Sequence, residues 1–198
     1  MSDHTRYHHG DLRNALLSTA GEVLEQEGLD AVTFRGLARS LGVSHAAPGH
    51  HFGDRATLLA ELAAEGFASF AAALEAAIDA ASTAEELQVE AGMAYLRFSL
   101  KNPQRYRRMF GQQLLGEDCP EPLLTESQCA YRALLIISGK SPDQDPASYR
   151  MGTEELRTWA LVHGAVTLWI DGALGPIGDE EEFVDLVRRT IAAQMKRE

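Results

Sequence analysis

Apolar residues Leu12, Leu16, Ala20, Val23 and Leu24 recur three and four positions apart, with Arg13, Glu22 and Glu25 on the other side. That spacing predicts an amphipathic helix over residues 11–26 with its stripe turned to a core. Glu27, Gly28 and Leu29 end it in a turn. Thr33 suits an N-cap, before a short helix that buries Leu37, Ala38 and Leu41 and stops at Gly42. Ser44 is a second cap candidate, ahead of one or two turns containing His45, Ala46, Ala47, Pro48, Gly49, His50 and His51. Pro48 is near enough to the start of that segment for its missing amide to cost little. Asp54 is a third cap and opens a long Ala-rich helix, with Leu58, Leu62, Phe67, Phe70, Leu74 and Ile78 along one face.

From Thr83 onward the pattern stays helical, with breaks at Asn102-Pro103, around Cys119-Pro120-Glu121-Pro122, and in the loop 139–146. No run alternates strictly enough for a sheet, so the expected fold is all-α. There is no internal repeat. The helix around Trp159 carries two apolar rows: Leu156, Ala160, His163, Thr167, Ile170 and Leu174 in one, Trp159, Val162, Val166, Trp169 and Ala173 in the other. A helix apolar nearly all round is covered on several sides, here by its own core and by a second copy of the chain. The last helix turns Phe183, Val184, Val187, Ile191 and Met195 one way and Arg188 and Arg189 the other. The pair is expected to form half of a four-helix dimer interface, built on Leu156, Ala160, Thr167, Ile170, Leu174, Phe183, Val187 and Ile191.

Composition narrows the class. The chain has 198 residues, 45% of them apolar and 24% charged, which excludes disorder, collagen and a disulfide scaffold. Its net charge of -11 has the wrong sign for a surface that clings everywhere to nucleic acid or anionic lipid. Residues 1–55 hold 5 basic and 7 acidic side chains against 13 and 22 in the remainder, so the acidity belongs mostly to the C-terminal part. Six of the seven histidines, His4, His8, His9, His45, His50 and His51, lie in the first 51 residues, and only His163 lies beyond. Cys119 and Cys129 have no CxxC spacing, and the start MSDHTRYHHGD has no apolar leader core, so the cytosol is the expected compartment. The apolar stretch 159–170 is shorter than the roughly 20 residues of a membrane span, and no membrane partner is expected.

Residues 33–51, TFRGLARSLGVSHAAPGHH, have the layout of a helix-turn-helix: a short helix with Leu37 and Ala38 inward, a turn at Gly42, and a second helix with polar residues outward. In that device the second helix enters the major groove, about 12 Å wide, while the first holds it against the phosphates. Small residues such as Ala46, Ala47 and Gly49 permit close approach.

The string YHHGDLRNALLSTAGEVLEQEGLDAVTFRGLARSLGVSHAAPGHHFGDRATLLAEL closely resembles the N-terminal domain of the tetracycline-repressor (TetR) family of transcriptional regulators. The C-terminal half resembles the subgroup marked by a Trp and then a His-Gly pair, here Trp159, His163 and Gly164, preceded by Tyr95, Phe98, Asn102-Pro103, Tyr106 and Met109-Phe110. The resemblance implies a homodimeric, ligand-responsive repressor. Residues 1–8 would be a flexible arm, 9–55 the helix-turn-helix domain that binds double-stranded, inverted-repeat operator DNA, and 56–198 an effector-binding and dimerisation domain. It places Thr33, Arg35 and Arg55 at phosphate-contacting positions, and Ser44, His45, Ala46, Gly49 and His50 on the recognition helix, with His51 just after. A small-molecule effector would sit among Tyr95, Phe98, Met109, Phe110, Trp159 and His163. Two positions depart from the family's pattern: Gly49 stands where a Tyr is usual, and Arg55 where a Lys is.

Each residue has a plainer reading. His45 and His50 either contact DNA or are exposed helix polar groups; His51 contacts phosphate or bonds near Phe52. His4, His8 and His9 form a minor-groove arm, a metal site or a plain flexible terminus, and no Cys or carboxylate cluster at ligand spacing supports the metal. The aromatic residues line a pocket or fill a core. Gly139-Lys140-Ser141 ends like a phosphate loop, but Leu134 stands where its first glycine belongs and Pro142 follows where a helix should begin. No catalytic constellation and no cofactor motif is present, so the chain is not expected to be an enzyme. The competing reading is a helical small-molecule-binding protein or enzyme whose N-terminal unit merely packs.

Overall fold

The structure, a computed structural model, describes residues 9–111, 119–141, 151–176 and 178–195. The expected N-terminal arm with His4 and His8, and residues 142–146 of the expected loop, lie outside them. Every regular element among the described residues is helical: α1 (His9–Glu27), a 3-10 turn (Leu29–Ala31), α2 (Phe34–Ser40), α3 (Ala47–Phe52), α4 (Arg55–Ala80), α5 (Ala84–Lys101), α6 (Pro103–Phe110), α7 (Glu121–Ile137), α8 (Thr153–Ile170) and α9 (Glu180–Met195). The chain forms two compact units, one of Met1–Gly66 and Gln104–Leu123, the other of Phe67–Pro103 and Leu124–Glu198. The expected boundary after residue 55 therefore moves into the middle of α4, and α6 joins the N-terminal unit.

In the N-terminal unit the predicted stripe of α1 is the core. Leu16, Ala20 and Leu24 are buried against Leu37, Phe52, Leu58 and Leu62; each fully buried leucine contributes about 1.5–3 kcal/mol. Local chemistry sets the helix ends. Gly28 (φ 86°) turns the chain out of α1 and Gly42 (φ 65°) out of α2, both in the left-handed region that favours glycine. The Thr33 hydroxyl accepts the Gly36 amide at 3.1 Å, and an Asp54 carboxylate oxygen accepts the Thr57 amide at 2.8 Å. Two more glycines give α6 its seat. A methyl on Gly21 of α1 would lie 2.5 Å from an Arg105 terminal nitrogen, and one on Gly66 of α4 2.7 Å from Met109 Sδ.

In the C-terminal unit, α5 packs on α8 and α9. Gly92 lets them close: a methyl there would lie 2.5 Å from Ile191 Cδ1 of α9 and 3.5 Å from Val162 Cγ2 of α8. Trp169 stacks on Phe183 with ring centroids 4.3 Å apart and planes at 7°. Phe183, Val187 and Ile191, expected on a subunit interface, are instead buried within this chain. Their stripe is covered by α5 and Trp169 and is not open to a partner. The buried Glu155 carboxylate is satisfied at the start of α8, accepting the Gly152 amide at 2.8 Å and pairing with Lys140 Nζ at 3.6 Å. By length and composition α4 is apolar enough to cross a membrane, more so than the 159–170 stretch singled out in the sequence. Its apolar side chains, among them Leu58, Leu62, Phe67, Phe70 and Leu74, are buried in the protein's own cores.

Candidate functional site

The turn between α2 and α3 is closed by backbone bonds, with the Val43 amide on Ala38 O at 3.0 Å and the Gly42 amide on Arg39 O at 3.3 Å. The α3 helix begins at Ala47, capped by Ala46 without a side-chain bond. Ser44 is therefore not its cap; its carbonyl accepts the Ala47 amide at 3.0 Å in the lead-in turn. Pro48 and Phe52 are buried and anchor one side of α3. The Arg13 guanidinium covers the Phe52 ring at 5.1 Å and pairs with Glu61 at 2.5 Å. The other side faces solvent: Ser44, His45, Ala46 and His50 are exposed, and Gly49 and His51 half-buried. Thr33 and Arg35 are exposed on the neighbouring helix start.

Arg55 does something the sequence did not suggest. Its Nε donates to Val32 O at 2.7 Å and its Nη2 to Leu29 O at 2.5 Å, so two of its donors tie down the turn before α2. Arg55 thus also holds the helix-turn-helix together, and as an exposed residue it keeps donors beyond these two. Burial, and after it the charge of Arg55, lowers the pKa of Arg108 on α6. Positive charge is therefore gathered beside the start of α4.

A second cluster lies in the C-terminal unit. Tyr95 Oη and His163 Nδ1 are 2.8 Å apart, and Trp159 Nε1 donates to Tyr95 Oη at 3.4 Å. An indole N–H only donates, so Tyr95 Oη accepts from Trp159; the direction of its bond to His163 Nδ1 follows the imidazole tautomer, and a ring with its hydrogen on Nε2 accepts from the tyrosine hydroxyl there. Burial lowers the pKa of His163 and favours that neutral ring. Phe70 meets Tyr95 edge-on at 4.8 Å and Phe98 at 5.2 Å. Tyr95, Phe98, Trp159 and His163 are thus brought together. Met109 and Phe110, assigned to the same pocket, belong to the other unit, where Met109 is buried against Gly66 and Phe110 meets Tyr106 at 5.0 Å. Of the expected dimer residues on α8, Leu156 is 54% exposed and Ala160 is exposed, while Thr167, Ile170 and Leu174 are half-buried. Leu168, 45% exposed, was missed; its signal is a plain four-residue step from Leu156 through Ala160 and Gly164.

A short helix anchored by its apolar side and open on its polar side, ahead of a separate all-helical unit, defines a helix-turn-helix DNA-binding regulator. Residues 16–62 match the family of bacterial regulatory proteins named for tetR, and residues 88–191 match the tetracyclin repressor-like C-terminal domain. The chain belongs to the TetR family of transcriptional regulators. It is 26% identical over 93% of its length to the uncharacterized HTH-type transcriptional regulator Rv0681 of Mycobacterium tuberculosis, covering 82% of that protein. A solved protein of unknown function from Rhodococcus sp. RHA1 is similar at 32% identity and a TM-score of 0.76, over 96% of this chain and 98% of that one. The TetR family transcriptional regulator PfmR from Thermus thermophilus shares the fold at 22% identity and a TM-score of 0.60, over 91% and 97% of the two chains. The protein is a DNA-binding transcriptional regulator, from a family that binds operator DNA as dimers.

Proposed function

We propose that the protein is a homodimeric repressor that occupies an inverted-repeat operator and is released when a small effector binds beside Tyr95, Phe98, Trp159 and His163. The observation that carries this reading is the Trp159–Tyr95–His163 chain of hydrogen bonds set among Phe70 and Phe98. A mostly aromatic wall with a few oriented polar atoms is the usual make-up of a small-molecule site. Dimerisation is supported by the row Leu156, Ala160, Gly164 and Leu168 on α8, with Leu186 of α9 39% exposed as well. A methyl added to Gly164 meets nothing within 4 Å, so that row is open along its middle. Two recognition helices in such a dimer fit half-sites about 34–36 Å apart. The effector acts by binding one dimer state better than the other, and can weaken operator binding only by that difference.

The test is a titration of the full chain with promoter DNA from its own genomic neighbourhood, repeated with small aromatic compounds present. Specific binding tighter than random DNA by about 10³-fold or more is expected, with release by one of the compounds. Tyr95→Phe should blunt that release and keep DNA affinity. Paired Leu156→Glu and Leu168→Glu should give monomers in sedimentation. No preference for the promoter DNA, or release unchanged in the Tyr95 variant, defeats the proposal.

A further inference from the structure

The face that α3 turns outward is poor in the side chains that ordinarily read bases. From Ser44 to His51 the chain contains no Arg, Lys, Asn or Gln, the residues of the usual bidentate pairings. What it offers is Ser44, His45 and His50, exposed, around the small residues Ala46 and Gly49. The His50 amide bonds Ala46 O at 3.1 Å, so Ala46 and His50 stack on one side of the helix, and His45 precedes them in the exposed lead-in turn. The opposite side is occupied by the buried Pro48 and Phe52.

Gly49 is not small for the sake of the protein's own packing. A methyl built there meets nothing within 4 Å, and Gly49 is not among the positive-φ glycines. Nothing inside the fold requires a glycine at that position, which leaves the space to whatever docks from outside. Imidazole is a short side chain, so a helix that reads with it must lie deep in the groove. Ala46 and Gly49 form the low saddle that allows this.

We infer that the operator half-site is read through imidazole donors, with His45 and His50 hydrogen-bonding guanine N7 in the major groove across the Ala46–Gly49 saddle. This rests on the DNA-binding reading of α2 and α3. At its major-groove edge guanine sets a second acceptor, O6, beside N7, whereas adenine sets an amino donor beside its N7 and a pyrimidine has no N7. An imidazole N–H seated on N7 and leaning toward O6 therefore favours guanine. The near balance of charge in residues 1–55 adds weight. Sequence-independent attraction to phosphates scales with the cations a protein brings, so base contacts must supply a larger share here.

The experiment is selection of bound duplexes from a randomised pool by the full-length protein, followed by affinity measurement on the selected duplex with each guanine replaced in turn by 7-deazaguanine. Guanines under His45 and His50 should lose roughly 5- to 150-fold on replacement, the equivalent of about 1–3 kcal/mol. His45→Ala and His50→Ala should each erase the preference at one position and become insensitive to 7-deazaguanine there. Gly49→Leu, whose Cβ meets nothing within 4 Å, should not lower the thermal midpoint and should lose the guanine dependence because the helix is held off. If no sequence is selected, the DNA-reading assignment itself fails, and this inference with it. If a sequence is selected but 7-deazaguanine changes nothing, or the histidine variants weaken all sequences equally, DNA binding stands and the imidazole readout is overturned.

Discussion

Glu25 of α1 accepts the backbone amide of Arg105 of α6 at 2.8 Å, and through its other oxygen that of Gln104 at 3.1 Å. The α6 helix begins at Pro103, which has no amide to satisfy, so Gln104 and Arg105 carry the first exposed N–H groups of the helix. A carboxylate 80 positions away in the chain serves as their cap, with its charge at the positive end of the helix dipole.

Glu25→Ala should therefore lower stability by about 1–2 kcal/mol, the usual cost of losing a cap. For a chain of this size that corresponds to a thermal midpoint lower by roughly 2–8 °C. Glu25→Gln keeps an acceptor oxygen and loses the charge, so it should fall between the two, and its gap from the wild type should shrink in high salt. A Glu25→Ala midpoint equal to the wild type would show that the two amides are as well served by water.

Gly92 and Ile191 should behave as a coupled pair. Gly92→Ala gains the better helix former by about 1 kcal/mol but places a methyl 2.5 Å from Ile191 Cδ1, which must then turn aside. Overpacking of that kind costs about 1–3 kcal/mol. Ile191→Val removes the obstructing carbon and alone costs about 0.5–1.5 kcal/mol. The double variant should be less destabilised than the two singles added, by at least about 0.5 kcal/mol in a denaturant cycle. Strict additivity would mean that Ile191 already has room to move.

These two pairs also show what a sequence can and cannot disclose. The helix-turn-helix was legible because its determinants are local. Thr33 and Asp54 each cap an amide three residues on, and Leu37 and Ala38 face inward by helical period alone. Glu25 read as part of a solvated face, because its partners come from a helix far along the chain. The weak cue was Asn102-Pro103, a helix start in need of an acceptor that its own neighbourhood does not supply. The resemblance gives Arg55 a place among the phosphate contacts, but it could not show that two carbonyls in the Leu29–Val32 turn set the side chain's geometry. Phe183, Val187 and Ile191 were correctly apolar, but an apolar stripe does not say which neighbour covers it. Here α5 does, because Gly92 brings it close.

The Tyr95–His163 bond makes a statement about pH. Burial lowers the pKa of His163 below the ordinary imidazole value, so the folded chain holds this ring neutral more firmly than the unfolded chain does. Above about pH 6.5 both states leave it neutral and it contributes no pH dependence. As pH falls through that value the unfolded chain takes up a proton that the folded one resists. Stability should drop until the folded ring is protonated too, and level off below. His163→Gln removes this component, so the difference in urea midpoint between wild type and variant should shift in the variant's favour as pH is lowered from about 7.5 toward 5. Tyr95→Phe gives a finer check. A tyrosine that donates to Nδ1 favours the unprotonated ring, so in that tautomer its loss should raise the folded pKa toward the ordinary value and narrow the window. An NMR titration of the His163 ring in both proteins reads this directly. A Tyr95→Phe titration at lower pH than the wild type would show that Tyr95 accepts from a His163 ring protonated on Nδ1.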